Sequence, residues 1–374
     1  MSLLFEDFPH EPQEGVRHSP SRNRRNESGC MRMRSFLKPM AGLTCLLALA
    51  AAGCSAESNS SSDAKHPQQS TTSPSASASA SEAASSVTGY APYVSATDAS
   101  DNDSAGSPSV YNLAFVIADG SDCTPSWNGT NAVGDSSVTS RISALKEDGA
   151  EVRVSFGGAS GKELAETCSS AAKLAAAYST ALDAAGSSLA DFDVEGDALT
   201  DSDSVDLRSE AIALLQKQRS DLAVSFTLPV MPSGLDADSV ALLESANNHS
   251  VQVSTVNIMT MNYGESYDGD MGTYAITSAK AAQKQLKSVF GTDNSTAWRA
   301  LALTSMIGTN DVAGETFTLS DAAQVREFAE SKGVAWVSMW ATFRDQQCEE
   351  GGDALTNCSG VSQSAGAFGE ALAG

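Results

Sequence analysis

The sequence predicts an α/β protein whose main domain is one closed (β/α)8 TIM barrel. From residue 88 onward, apolar or β-branched runs of strand length recur eight times, and stretches with helical spacing separate most of them. Such alternation implies a parallel sheet covered by helices. Eight units over about 285 residues also fit the length of a barrel, for which about 250 residues is typical. An open doubly wound sheet would want a glycine-rich phosphate turn after an early strand. Here "SFGGASG" offers glycines, but not the G-x-G-x-x-G spacing or a well-placed acid.

The first strand is read at "YAPYVSA" (90–96) and the second at "NLAFVIA" (112–118), joined by a polar segment with little helical character. A helical stretch, "VTSRISALKEDG", leads to the third strand, "EVRVSFGG" (151–158). The long "ELAETCSSAAKLAAAYSTALDAAG" then precedes the fourth, "LADFDVE" (189–195), and "LRSEAIALLQKQRS" precedes the fifth, "AVSFTLPV" (223–230). The sixth is "VSTVNIMTMNY" (253–263), with the polar "ANNHS" before it read as a surface loop. The seventh is "RALALTSMIG" (299–308), and "LSDAAQVREFAESKG" leads to the eighth, "VAWVSMW" (334–340).

Ahead of the barrel lie two segments of a different kind. Residues 1–53 read as a patternless extension followed by a leader, with translation expected to begin at Met31 or Met33. "MRMRSFLKPMAGLTCLLALAAAGC" has a basic start, an apolar run too short for a comfortable membrane span, and small residues before Cys54. That ending resembles a bacterial lipoprotein signal, which makes Cys54 the expected lipidation site and the domain an exported, cell-surface one. An ordinary secretory signal, giving a secreted protein, is the alternative. Residues 54–87 are Ser- and Ala-rich and almost free of large apolar side chains, the composition of a disordered linker. Residues 88–374 form the barrel.

The net charge of −23 argues against nucleic acid as a partner and against a membrane contact other than the lipid anchor. It suits a neutral substrate. Four cysteines fall in the exported domain: Cys123, Cys168, Cys348 and Cys358. An even count in an oxidising compartment implies two disulfides with three possible pairings. Cys348 and Cys358 are near in sequence and would close one loop, leaving Cys123 with Cys168. No C-x-x-C spacing or nearby histidine points to a metal, and no cofactor is expected. His249 is the one histidine of the domain, so a His-based mechanism has a single, poorly placed candidate and carboxylates are the expected chemistry. A tethered monomer is the simplest expectation.

On the fourth strand, period two puts Asp191, Asp193 and Glu195 on one face. Like charges on one face repel, so stability alone does not favour them. Barrel chemistry sits at the carboxyl ends of the strands, where Asp193 and Glu195 fall, at the level of Tyr263 and Trp340.

These residues resemble glycoside hydrolase family 18, the chitinase family, over roughly residues 88–350, and its compact actinobacterial members in particular. The resemblance rests on "SSLADFDVE" for D-x-x-D-x-D-x-E and on Ser155-Phe156-Gly157-Gly158 for S-x-G-G. Met261-Asn262-Tyr263 stands for Met-x-Tyr, and Trp340 for the tryptophan of the eighth strand. It implies retaining hydrolysis without an enzyme nucleophile, because the substrate's own N-acetyl group attacks. Glu195 is then the acid and base, and Asp193 holds the acetamido N–H and shares a proton with Asp191. Tyr263 donates its hydroxyl to the acetamido oxygen, and Trp340 floors the −1 sugar, the one bearing the reacting anomeric carbon. Met261 is expected in the site wall, Ser155, Gly157 and Gly158 as space-making residues, and Asn310, Asp311 and Trp127 as possible sugar contacts.

Ser188, Asn262, Gly264 and Phe343 depart from the pattern. The implied substrate is an N-acetylglucosamine-containing oligo- or polysaccharide, chitin or its oligomers. An endo-β-N-acetylglucosaminidase acting on N-glycans and a non-catalytic chitooligosaccharide-binding lipoprotein are the competing expectations.

Overall fold

Parallel pairing runs round a full ring in the computed structural model, which describes residues 87–374. The expected leader, the lipidation site Cys54 and all of the linker up to residue 86 lie outside the described residues. Strand β1 comes in two pieces, Gly89–Tyr90 and Tyr93–Ser95. It is followed by β2 (Val110–Ala118), β3 (Glu151–Gly157), β4 (Leu189–Asp193) and β5 (Ala223–Pro229). Then come β6 (Val253–Met259), β7 (Leu301–Met306) and β8 (Trp336–Trp340). Each pairs in parallel with the next, and β8 returns to β1. The fold is the expected (β/α)8 barrel.

Proline explains the broken first strand. Pro92 has no N–H to give a ladder, and the chain changes partner there. Gly89 and Tyr90 align with Trp336 and Val337 of β8, whereas Tyr93 and Val94 align with Asn112 and Leu113 of β2. Asn112 bridges the break: its backbone N–H donates to the Pro92 carbonyl and its amide to the Ala91 carbonyl, at 2.9 and 2.8 Å.

Helices α1 (Ser136–Leu145), α2 (Ala171–Ala185), α3 (Ser202–Gln218), α4 (Ala237–Asn248), α5 (Met271–Phe290) and α6 (Leu319–Lys332) alternate with β2 to β8. Their starts carry side-chain caps, such as Asp135, Ser170 and Asp270, and α6 opens on a Thr318–Asp321 capping box. Glycines 186, 291 and 333 end α2, α5 and α6 in the left-handed conformation.

Strand faces divide the core in two. Outward-facing Phe156 and Phe192 stack on each other, with Tyr178 of α2 edge-on to both and Phe226 tilted against Phe192, in an apolar layer between ring and helices. The inside is polar, with Ser155, Asp191, Ser225, Thr227, Asn257 and Thr304 all buried. At the opposite end from the acids, Arg153 lies over the Trp336 ring at 4.0 Å and donates to Asn112 Oδ1 at 2.6 Å.

Three sequence expectations shift. The helical stretch from residue 163 is a short 3-10 turn, Leu164–Glu166, and then α2, broken where Cys168 bonds to Cys123. "ANNHS" is mostly the end of α4, with His249 as its C-cap beside Asp206 at 2.8 Å. Strand β6 stops at Met259, four residues short of the expected end. The second disulfide joins Cys348 to Cys358.

Candidate active site

Asp191 is the buried anchor of the acid column. The register sets Ser155 of β3 and Ser225 of β5 beside it. Tyr93 Oη and Ser155 Oγ donate to its Oδ2 at 3.0 and 2.7 Å, and Ser225 Oγ donates to Oδ1 at 2.7 Å. Thr227 Oγ1 lies at 2.9 and 3.0 Å from the two oxygens. The network continues through Asn257, whose amide donates to Thr227 Oγ1 at 3.0 Å and accepts from Thr304 Oγ1 at 2.9 Å. Hydroxyls from three strands therefore fix this carboxyl.

One step up, Asp193 is 5% exposed and its Oδ1 has no hydrogen-bond partner. Burial first, then Glu195 and Asp191, push its pKa well above the ordinary range, so the neutral acid is favoured. The proton sharing implied for Asp191 and Asp193 has no hydrogen bond to run along here. Hydroxyls already occupy the Asp191 oxygens.

Glu195 stands just past the end of β4 at the mouth, partly exposed. Burial, and after it the charge of Asp311, push its pKa up. Gly157 and Gly158 make room here as expected. A Cβ on Gly157 would collide with the Asp193 carbonyl oxygen, and one on Gly158 would meet the Phe115 ring at 2.9 Å. Both glycines have positive φ, and the Gly158 N–H donates to the Asp193 carbonyl at 2.9 Å.

Above the acids opens a cleft of about 310 Å³. Trp340 stacks on Phe115 at 5.5 Å, with Tyr93 and Phe343 edge-on to it. Met259, Met261 and Met306 supply soft apolar surface, and Asp193, Glu195, Asp236 and Asp311 supply carboxyls. An apolar platform beside convergent acids suits the flat face and ring oxygens of a sugar.

No protein-family model matches the chain. It is 32% identical to a probable bifunctional chitinase/lysozyme of Escherichia coli over 278 residues, which is 68% of this chain and 31% of that protein. It is 31% identical over 248 residues to endochitinase 11 of Metarhizium anisopliae, covering 63% of this chain and 47% of the relative. The chain thus spans less than half the length of either curated relative. Among solved structures, the catalytic domain of a hyperthermophilic chitinase from Pyrococcus furiosus matches with a TM-score of 0.66 at 27% identity, over 76% of this chain and 93% of that one. Catalytic-site mutants of a Pyrococcus furiosus chitinase domain complexed with chito-oligosaccharides match with a TM-score of 0.65 at 27% identity, over 76% and 92%. The chain belongs to glycoside hydrolase family 18.

Of the residues singled out from the family 18 resemblance, Asp193, Glu195, Met261 and Trp340 line the cleft, and Asp191 lies directly beneath it. Three others do not. Tyr263 is 4% exposed and packs against Tyr267 and Tyr274, with its hydroxyl 3.4 Å from Ser278 on α5. The reason is local: β6 ends early, and Asn262 takes the left-handed conformation at φ 54°, turning the next side chain outward. Met261 and Asn262 face the cleft in its place.

Asn310 is buried, and its amide donates to the carbonyls of Met306 and Gly308 at 2.8 and 3.0 Å, so it ties the turn after β7. Trp127 is fully buried. It pairs with Val116 in a hairpin folded back on β2 and donates from Nε1 to the Val133 carbonyl at 3.3 Å.

The departures from the family pattern also find places. Ser188 precedes β4 at the far end from the cleft, where its carbonyl accepts from the Ala223 N–H at 2.9 Å. The Gly264 N–H donates to Glu315 at 2.8 Å, and Phe343 buttresses Trp340. Sequence reasoning missed Tyr93, Phe115 and Asp236. The first two lie on strands buried on both faces, where apolar patterning does not tell inside from outside. Asp236 reads as the N-cap of α4, which it also is.

Proposed function

We propose that the chain is an exported, lipid-anchored glycoside hydrolase that cleaves β-1,4 bonds after N-acetylglucosamine in chitin or its oligomers, with the substrate assisting. The observation that carries this reading is the graded acid column under an aromatic platform: Asp191 fixed by hydroxyls, Asp193 buried and unpartnered, Glu195 at the mouth. Export and lipid anchoring rest on the leader and Cys54. The family relationship supports the substrate class, since relatives are named as chitinases and a related domain is complexed with chito-oligosaccharides.

In this reading Glu195, whose pKa its surroundings raise, gives its proton to the leaving oxygen and then takes one from the incoming water. The acetamido carbonyl attacks its own anomeric carbon. Asp193, with a free acceptor atom, takes the acetamido N–H and faces the charge that develops on the oxazolinium ring. Trp340 and Phe115 carry the sugar's apolar face. Tyr263 has no part, so the acetamido oxygen is left to other groups of the cleft wall.

The test is hydrolysis of chitin oligosaccharides by the full chain and by Glu195→Gln, with products followed by mass. Cleavage by the parent and a loss of at least about 100-fold in the variant, in line with the usual worth of a general acid, is the expected result. Binding without cleavage by the parent would overturn it in favour of a sugar-binding protein. Cleavage confined to N-glycans would move the substrate.

A further inference from the structure

We propose that Asp311, locked in place by Asn262, is a positioning residue that keeps the proton on Glu195 from across the cleft. The inference rests on Glu195 being the acid of the proposed reaction. Asp311 comes from the loop after β7, Asn262 from the loop after β6, and Glu195 from the end of β4, and all three line the same cleft. The Asn262 amide donates to Asp311 Oδ2 at 3.0 Å, while its Oδ1 accepts the Asp311 backbone N–H at 3.1 Å. Only a side chain carrying both a donor and an acceptor makes that two-point lock.

An aspartate at position 262 would set a carboxylate against a carboxylate. Asparagine instead leaves a single negative charge on this wall and orients it. The turn is held a second time: Glu315 takes the Gly264 N–H at 2.8 Å, and its own carbonyl takes the Asn310 N–H at 3.1 Å.

Every charged group facing Glu195 has the same sign. Asp193 faces it from β4 with Asp191 below, Asp236 from the loop after β5, and Asp311 from the loop after β7. Tyr93 from β1, Phe115 from β2, Met259 from β6 and Trp340 from β8 bring no charge. Arg344 lies close enough to feel the Asp311 charge, but its hydrogen bonds go elsewhere. Arg344 donates to the Thr309 and Ala354 carbonyls, both at 2.7 Å, and Arg153 sits at the other end of the barrel. Burial is the largest influence on Glu195, and the charge of Asp311 adds to it in the same direction. Asp311 itself is exposed, so its influence is screened by salt within a Debye length of about 10 Å at 0.1 M.

The experiment is a carboxyl ¹³C NMR titration of the full chain, with the Glu195 signal assigned by its disappearance in Glu195→Gln. Asp311→Asn should move the Glu195 titration toward lower pH, more at 10 mM than at 500 mM salt. Asn262→Gly, which keeps the left-handed turn but frees Asp311, should move it in the same direction. The alkaline limb of the kcat/KM profile on chito-oligosaccharides should follow, leaving the variants several-fold less active at a fixed pH on that limb. An unchanged Glu195 titration in Asp311→Asn at low salt overturns the inference. A shifted titration in a protein that cleaves no sugar sinks the proposed reaction instead, because the NMR readout does not need turnover.

Discussion

Replacing Gly157 with alanine tests whether the glycine pair of β3 is there for the acid column. Two costs add. At φ 99° a Cβ is strained whatever the space around it, at about 1–3 kcal/mol. The new methyl would also run into the Asp193 carbonyl oxygen, with the Glu163 stem 3.4 Å away on the other side. Forced repacking of that kind adds about 1–3 kcal/mol. Both neighbours are fixed, since the Asp193 carbonyl takes the Gly158 N–H and Glu163 is paired with buried Arg208. A loss of about 2–6 kcal/mol lowers the melting temperature by about 5–20 °C in a domain of this class. The control is Gly196→Ala, just past the acid: its φ is also positive at 58°, but a Cβ there meets nothing within 4 Å. The assay is thermal melting of both variants, followed by activity per folded molecule. If the two melt alike, the close approach to Asp193 is not what demands glycine and the reasoning fails.

Tyr263→Phe should keep kcat on chito-oligosaccharides within about threefold and cost about 1 kcal/mol of stability, because the hydroxyl is turned toward Ser278, at 3.4 Å, and Thr260 rather than the cleft. A fall of 100-fold in kcat would show that the tyrosine reaches the substrate after all. Asp193→Asn should abolish most activity yet become more stable relative to the parent as pH rises. The buried carboxyl has its pKa raised, so its contribution is intact below the unfolded value of about 3.9 and is lost as pH climbs through the folded value. Melting temperatures of both proteins from pH 4 to pH 7 check the sign, and a gap that narrows over that range contradicts it.

Alternation made the ring legible from sequence because each strand and each helix carries its own period. The dyad spacing of Asp191 and Asp193 placed them correctly for the same reason, since β4 is a regular strand through both. Tyr263 was misread where periodicity runs past the strand's end. "VSTVNIMTMNY" stays apolar through Met261, while the turn is set by two residues with positive φ, Asn262 and Gly264. That N-x-G pair was the available signal. Trp127 was misread for another reason: an aromatic among "PSWNGT" looks like a loop tip, and only the hairpin pairing with β2 shows that it folds inward. Asp311 and Asn262 lie 49 residues apart, and no local pattern brings them together.

The split first strand has a temporal consequence. Its two halves hydrogen-bond to opposite neighbours, so residues 89–95 are the seam at which the ring is sewn, and that seam has to wait for β8, the last barrel strand to be synthesised. Tyr93, on the same short segment, delivers its hydroxyl to Asp191. In a nascent chain the half that carries Tyr93 can therefore pair with β2 and reach Asp191 before β8 exists, while Gly89–Tyr90 stays an open edge until β8 arrives.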